Sequence, residues 1–139
     1  MSDQPLPATI LVVEDEGDLR ALISYNLSRS GYTVELAADL SSARQALACT
    51  TPSLVILDLM LPDGSGLDLA RQIRKSPSSA GVPILFVTAR PQDSYLRSYR
   101  FSSQDDYLPK PFSVRELLRR VEAQVNWTVG QPEQKDLAS

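Results

Sequence analysis

Apolar positions along the chain follow two rhythms, and their alternation predicts the architecture. "TILVVEDE" is an unbroken apolar run dense in β-branched residues and cut off by acids, the pattern of a strand buried on both faces. From Asp18 the spacing changes: Leu19, Leu22, Ile23 and Leu27 recur at helical intervals, with Gly31 as a stop. "YTVELA" predicts a second strand. "DLSSARQALA" predicts a helix capped by Asp39 or Ser41, with Leu40, Ala43 and Leu47 inward. "LVILDLM" is a third strand and "LPDGSG" a loop. Leu67, Ala70 and Ile73 mark a helix ending near "KSPSSAG", and "VPILFVTAR" is a fourth strand. "PQDSYLRSYRFSSQ" should be the next crossover helix, yet its apolar residues keep poor helical time. "DYLP" is a short fifth strand. "SVRELLRRVEAQV" is a final helix, opened by a Ser113–Glu116 capping box, with Val114, Leu117, Leu118, Val121 and Val125 inward. Residues 1–8 read as a disordered arm, 9–126 as the folded domain, and 127–139, with glycine and proline, as a linker or tail. Strands alternating with helices predict an α/β fold with a parallel sheet covered on both faces.

Composition narrows the setting. The 139 residues suffice for one domain with a core of its own. A formal net charge of −3 argues against broad attraction to nucleic acid. One cysteine, Cys49, forms no internal disulfide, which fits a reducing, cytoplasmic setting. No apolar run reaches membrane-spanning length, and the opening "MSDQPLPATI" lacks a signal peptide's basic and apolar regions. The chain has no histidine, which removes histidine triads, histidine metal sites and a phosphohistidine carrier role for this chain.

In open parallel sheets, ligands sit outside the carboxyl ends of the strands. Here those ends carry Glu14, Asp15 and Glu16, then Asp58, Thr88 and Lys110. Each of them taken singly is an ordinary solvated loop residue, cap or surface charge. Gathered in one crevice, they become a set of carboxylates with one hydroxyl and one ammonium. Clustered carboxylates repel unless a cation intervenes. Oxygen-only ligands suit a hard cation, and Mg²⁺ favours a few carboxylates together with phosphate oxygens. Lysine binds phosphate as a point charge. The set suits phosphoryl transfer, with Asp58, alone at the end of an apolar strand, as the candidate nucleophile.

"ILVVEDE", "LVILDLMLPDGSG", "ILFVTAR" and "DDYLPKPF", in this order and spacing, resemble the receiver domain of two-component response regulators, over about Thr9 to Val125. Within that family the chain is most similar to receivers followed by a winged-helix DNA-binding domain. The resemblance implies a flavodoxin-like (βα)5 fold with a parallel sheet of order 2-1-3-4-5. It implies that Asp58 accepts a phosphoryl group from a histidine kinase or histidine phosphotransfer protein, and that the domain is regulatory rather than an enzyme. Glu14, Asp15, Asp58 and the Met60 backbone carbonyl match the Mg²⁺ ligands; aspartate often stands where Glu14 does. Thr88, the small Ala89 and Lys110 match the phosphoryl-binding positions, with a cis bond before Pro111. Thr88 and Tyr107 match a switch that alters the face formed by the fourth helix, fifth strand and fifth helix. Asp105, Asp106, Glu116 and Arg120 match positions at which active copies of the winged-helix class pair. No direct nucleic-acid or membrane contact is implied for this domain.

The chain departs from the family upstream of "DDY". Ser103 and Gln104 replace the usual small residues, and Tyr95, Tyr99 and Phe101 mix with Arg97 and Arg100 where a regular helix is expected. Either the aromatics pack inward on a drifted helix or the output surface has changed. The rival readings are a stand-alone relay or partner-binding receiver, a Mg²⁺-dependent phosphatase with an aspartate nucleophile, a flavodoxin-like cofactor binder, and a receiver that has lost phosphorylation. The short strand-end loops, the acidic "VEDEGD" and the intact site set argue against the last three.

Overall fold

The apolar runs pair into a five-stranded parallel sheet. The computed structural model describes residues 7–89, Tyr99 and 101–138. Its strands are β1 (Thr9–Val13), β2 (Thr33–Ala37), β3 (Leu54–Asp58), β6 (Ile84–Thr88) and β7 (Asp105–Pro109), in the order β2-β1-β3-β6-β7. Counting only the strands of this sheet, that is the 2-1-3-4-5 order of the flavodoxin-like fold. Two short strands, β4 (Met60–Leu61) and β5 (Gly64–Ser65), form a separate antiparallel hairpin where the sequence predicted a plain loop. The helices described are α1 (Gly17–Arg29), α2 (Leu40–Cys49), α3 (Gly66–Lys75) and a C-terminal helix (Val114–Ala138).

Period-two alternation sorts the strand side chains into two cores. Leu11, Val13, Val55, Leu57, Ile84 and Phe86 face α2 and α3, while Ile10, Val12, Leu54, Ile56, Leu85 and Val87 face α1 and the C-terminal helix. The central strands β3 and β6 are buried along their whole length, which explains their unbroken apolar runs; the edge strands β2 and β7 keep exposed positions. Asp39 is the N-cap of α2, its side chain accepting from the Ser42 N–H. At the C-terminal helix only half of the predicted capping box forms. Ser113 Oγ accepts from the Glu116 N–H, but the Glu116 carboxylate turns to Arg119 and Arg120. Leu22 is half-exposed.

The C-terminal helix continues through Gly130 and Pro132 to Ala138, so the segment read as a linker or tail from 127 has helical backbone. Once a helix is nucleated against a core, adding a residue costs far less than starting a new helix. Residues 1–6 of the predicted arm lie outside the described residues, as do Tyr95, Arg97 and Arg100 of the irregular segment.

Tyr99 packs inward, whereas Phe101 stays exposed on one side while its ring covers those of Tyr99 and Phe86. The three rings contact one another edge to face, with centroids 5.0–5.4 Å apart. The Tyr99 hydroxyl donates to Asp105, and burial followed by the Asp105 charge pushes its pKa up to about 12. Asp105 also accepts from the Ser102 N–H and pairs with Arg74 of α3. Arg74 donates in addition to the Ala80 and Val82 carbonyls. Gln104, one of the unusual residues, reaches the Gly81 carbonyl, and the buried Gln124 amide donates to the Ile84 and Gln104 carbonyls. The departure before "DDY" thus closes one end of the sheet with hydrogen bonds.

The Asp105 side chain has no solvent exposure, so removing its cation leaves a buried charge uncompensated. Arg74→Met is expected to lower unfolding free energy by about 3 kcal/mol, the low end for breaking a buried pair, because Tyr99 and Ser102 still hydrogen-bond the carboxylate. Urea denaturation checks this; a loss below about 0.5 kcal/mol, the range of surface changes, contradicts it.

Candidate functional site

Parallel strands must deliver their carboxyl ends to the same edge of the sheet. β1, β3, β6 and β7 therefore place Glu14, Asp58, Thr88 and Lys110 side by side. Glu14, Asp58 and Thr88 are buried, while Asp15 and Met60 are exposed. One carboxylate oxygen from each of Glu14, Asp15 and Asp58 lies within 4.8 Å of the others.

Lys110 sits between two of these acids. Its Nζ is 3.2 Å from Glu14 Oε1 and 3.3 Å from Asp58 Oδ2. Burial alone pulls the ammonium's pKa down, but the Asp58 and Glu14 charges outweigh it and hold the pKa above the ordinary lysine value. The lysine backbone is tied as well, its N–H donating to the Thr88 carbonyl at 2.8 Å. The Lys110–Pro111 peptide bond is cis.

The two carboxylates on Lys110 have different surroundings. Glu14 is pushed above the ordinary glutamate range, by burial first and then by Asp58; the Glu16 N–H at 3.1 Å and Lys110 offset only part of that. Asp58 accepts from Lys110 through Oδ2 and from the Met60 N–H through Oδ1 at 3.2 Å. A single ammonium thus leaves a buried acid still under repulsion. A three-carboxylate, oxygen-only donor set in that condition fits a hard divalent cation such as Mg²⁺.

Other predicted residues surround this centre. Ala89, Lys110 and Pro111 line a groove of about 370 Å³ together with Glu16, Leu19, Leu22 and Phe112. Tyr107, on β7, is directed outward with its side chain half-exposed. Arg120 pairs with Asp106 and Glu116 within the chain. Asp105 does not join that surface group, because its carboxylate is buried on Arg74.

Three supporting residues escaped the sequence reading. Arg20 of α1 donates to the Glu14 and Asp15 carbonyls at 2.9 and 3.3 Å, fixing the backbone of the acidic pair. Asp63 bonds the start of α2. Gly66 lies against Asp58: a Cβ there would be 2.2 Å from the Asp58 carbonyl oxygen. The glycine and aspartate of "LPDGSG" signalled a turn, but the close approach is tertiary.

A profile of the response regulator receiver domain family matches residues 10–122. The response regulator MprA of Mycolicibacterium vanbaalenii is 42% identical over 118 residues, 85% of this chain and 50% of that protein. The phosphate regulon transcriptional regulatory protein PhoB of Rhizobium meliloti is 41% identical over 114 residues, 82% of this chain and 50% of that protein. The chain thus spans about half the length of these curated relatives. Among solved structures, the receiver domain of sensor histidine kinase PA1611 from Pseudomonas aeruginosa PAO1 has a magnesium ion coordinated in its active-site cleft. It matches with a TM-score of 0.77 at 29% identity, over 86% of this chain and 98% of that one. By fold, by the acidic edge of its sheet and by a family match over residues 10–122, the chain belongs to the response regulator receiver domain family.

Proposed function

We propose that Asp58 takes a phosphoryl group from a phosphohistidine donor, a histidine kinase or a histidine phosphotransfer protein. The observation that carries this is Lys110 Nζ, held 3.3 Å from Asp58 Oδ2 at the acidic end of the sheet. An Asp58 oxygen bonds to phosphorus while the bond from phosphorus to the donor nitrogen breaks, and its electron pair stays on the imidazole. Asp58 becomes an acyl phosphate. Lys110 then faces the added negative charge, and the Thr88 hydroxyl donates to a phosphoryl oxygen. Glu14, Asp15, Asp58 and the Met60 carbonyl would hold Mg²⁺, which when bound supplies positive charge beside the phosphoryl oxygens. The domain acts only on its own phosphorylation and dephosphorylation, as a regulator rather than an enzyme with a separate substrate.

Phosphorylation adds charge and three strong acceptors at Asp58. Thr88 moves toward them, Tyr107 turns from its outward position into the space released, and the surface around β7 and the C-terminal helix shifts between two states. Asp106, Glu116 and Arg120 lie on that surface and would exchange partners when two copies pair; Asp105 stays with Arg74. Similarity to a transcriptional regulatory protein supports a role in transcriptional control, exerted in the cytoplasm through a DNA-binding segment rather than by this acidic domain. Among the described residues no helix is long and apolar enough to cross a membrane.

Intact-mass measurement after incubation with acetyl phosphate tests the reading. Wild type should gain one phosphoryl group in Mg²⁺ and almost none when the metal is chelated; equal gain in both contradicts the Mg²⁺ assignment, and no gain contradicts the whole proposal. Light scattering on the phosphorylated sample reports pairing, which an unchanged monomer mass at high concentration would exclude.

A further inference from the structure

The hairpin that follows Asp58 is pinned at both ends by helix caps. Met60 and Leu61 pair with Ser65 and Gly64. At one end the Ser65 hydroxyl accepts from the Leu67 N–H at the start of α3. At the other, Asp63 reaches across the fold to α2, where Oδ1 accepts from the Leu40 N–H at 2.8 Å and Oδ2 from the Ser41 N–H at 3.1 Å. Of the first three N–H groups, the carboxylate of Asp39, the N-cap, serves only the third, that of Ser42. Glycine at 64 permits this close approach: it has φ +147°, and a Cβ there would be 2.8 Å from Leu40 Cδ1. The first turn of α2 has its orphan N–H groups satisfied by carboxylates from two loops, and one of those loops is the one that carries Met60.

We propose that Asp63 is a positioning residue for the acceptor site. By bonding α2 it fixes the 60–65 hairpin, and the hairpin presents the Met60 carbonyl and, through the Met60 N–H, orients the Asp58 carboxylate. The inference rests on the reading of Asp58 and Met60 above. Asp63 touches neither the carboxylate cluster nor Lys110 in any hydrogen bond described, so its influence passes through the backbone. A purely local role would confine its effect to the stability of α2.

Calorimetric Mg²⁺ titration of the full chain separates the two, with amide hydrogen exchange at Leu40, Ser41 and Met60 read alongside. Asp63→Ala should weaken Mg²⁺ binding about 10-fold, the low end for residues that orient metal ligands. It should speed exchange at all three amides, while saturating Mg²⁺ restores the rate of labelling by acetyl phosphate. Asp63→Asn keeps one carbonyl acceptor and should show a smaller loss in the same direction; it carries the test if alanine unfolds the chain. Faster exchange at Leu40 and Ser41 alone, with Mg²⁺ affinity at the wild-type value, reduces Asp63 to a helix cap and overturns the inference. A wild type that binds no Mg²⁺ overturns the metal reading and this inference with it, whereas wild-type binding unaffected by either variant overturns only the inference.

Discussion

Asp58→Ala is expected to abolish phosphoryl uptake from acetyl phosphate altogether while leaving the fold intact. The loss should be complete rather than partial because the substitution removes the atom to which phosphorus bonds. The neighbouring acids are poor substitutes. Both Glu14 oxygens are already engaged, by Lys110 and by the Glu16 N–H. Asp15 is exposed and has no contact with Lys110 among the ion pairs described. Stability should not fall, because Asp58 is the second cause, after burial, of the raised Glu14 pKa. A carboxyl whose folded pKa lies above its unfolded value contributes stability below the unfolded pKa, and that contribution is lost as pH rises through the folded pKa. Wild type without metal should therefore lose stability as pH climbs from the ordinary glutamate range through the raised value, and Asp58→Ala should lose less. Lys110 should not be left without a partner in the variant, since Glu14 lies 3.2 Å from its ammonium in the wild type. Intact mass and thermal unfolding across acid to neutral pH check both halves. Phosphoryl uptake equal to wild type would refute Asp58 as acceptor, and global unfolding would refute the stability argument.

Gly66→Ala should damage both fold and site. The added Cβ would lie 2.2 Å from the Asp58 carbonyl oxygen and 3.1 Å from Leu59 Cα, both backbone atoms that no side-chain rotation can move aside. Gly66 is also where α3 begins, and its N–H donates to the Leu59 carbonyl at 2.8 Å. Relief requires α3 to retreat or the end of β3 to shift, and β3 is buried throughout. The expected cost is about 3 kcal/mol, the upper end for overpacking a close-packed interior. Because the displaced atoms include the backbone of Asp58, Mg²⁺ affinity should fall as well, even in the folded fraction. Urea denaturation with and without Mg²⁺ measures both. A change under about 1 kcal/mol would mean that the strand end yields more readily than a packed interior allows.

Much of the fold was legible because its signals are local. An apolar run such as "LVILD" can lie only where both faces are covered, and spacing of three and four marks a helix within its own segment. The placement of Glu14, Asp58, Thr88 and Lys110 at strand ends was legible for the same reason, since parallel strands bring their ends to one edge. The errors arose where a local signal met a tertiary contact. "LPDGSG" reads as a turn, yet its aspartate bonds backbone 22 and 23 positions away. Glu116 is the exception, because the competitors are local: it belongs to a capping box by sequence but is taken by two arginines three and four positions on in the same helix. Asp105 looks like surface charge until Arg74, 31 positions earlier, is brought against it.

The sequence by itself determined the order of strands and helices, the two apolar faces of the sheet and the identity of the groups at its acidic edge. Each of these follows from periodicity and residue chemistry within a short window. Only the tertiary structure decided that Lys110 lies between Glu14 and Asp58, that Arg20 bonds the acidic pair from α1, that Gly66 lies against the Asp58 carbonyl, and that Asp63 bonds the start of α2. Those outcomes depend on distances between segments far apart in the chain. Such distances follow from how two cores pack against one sheet, which no local pattern of residues encodes.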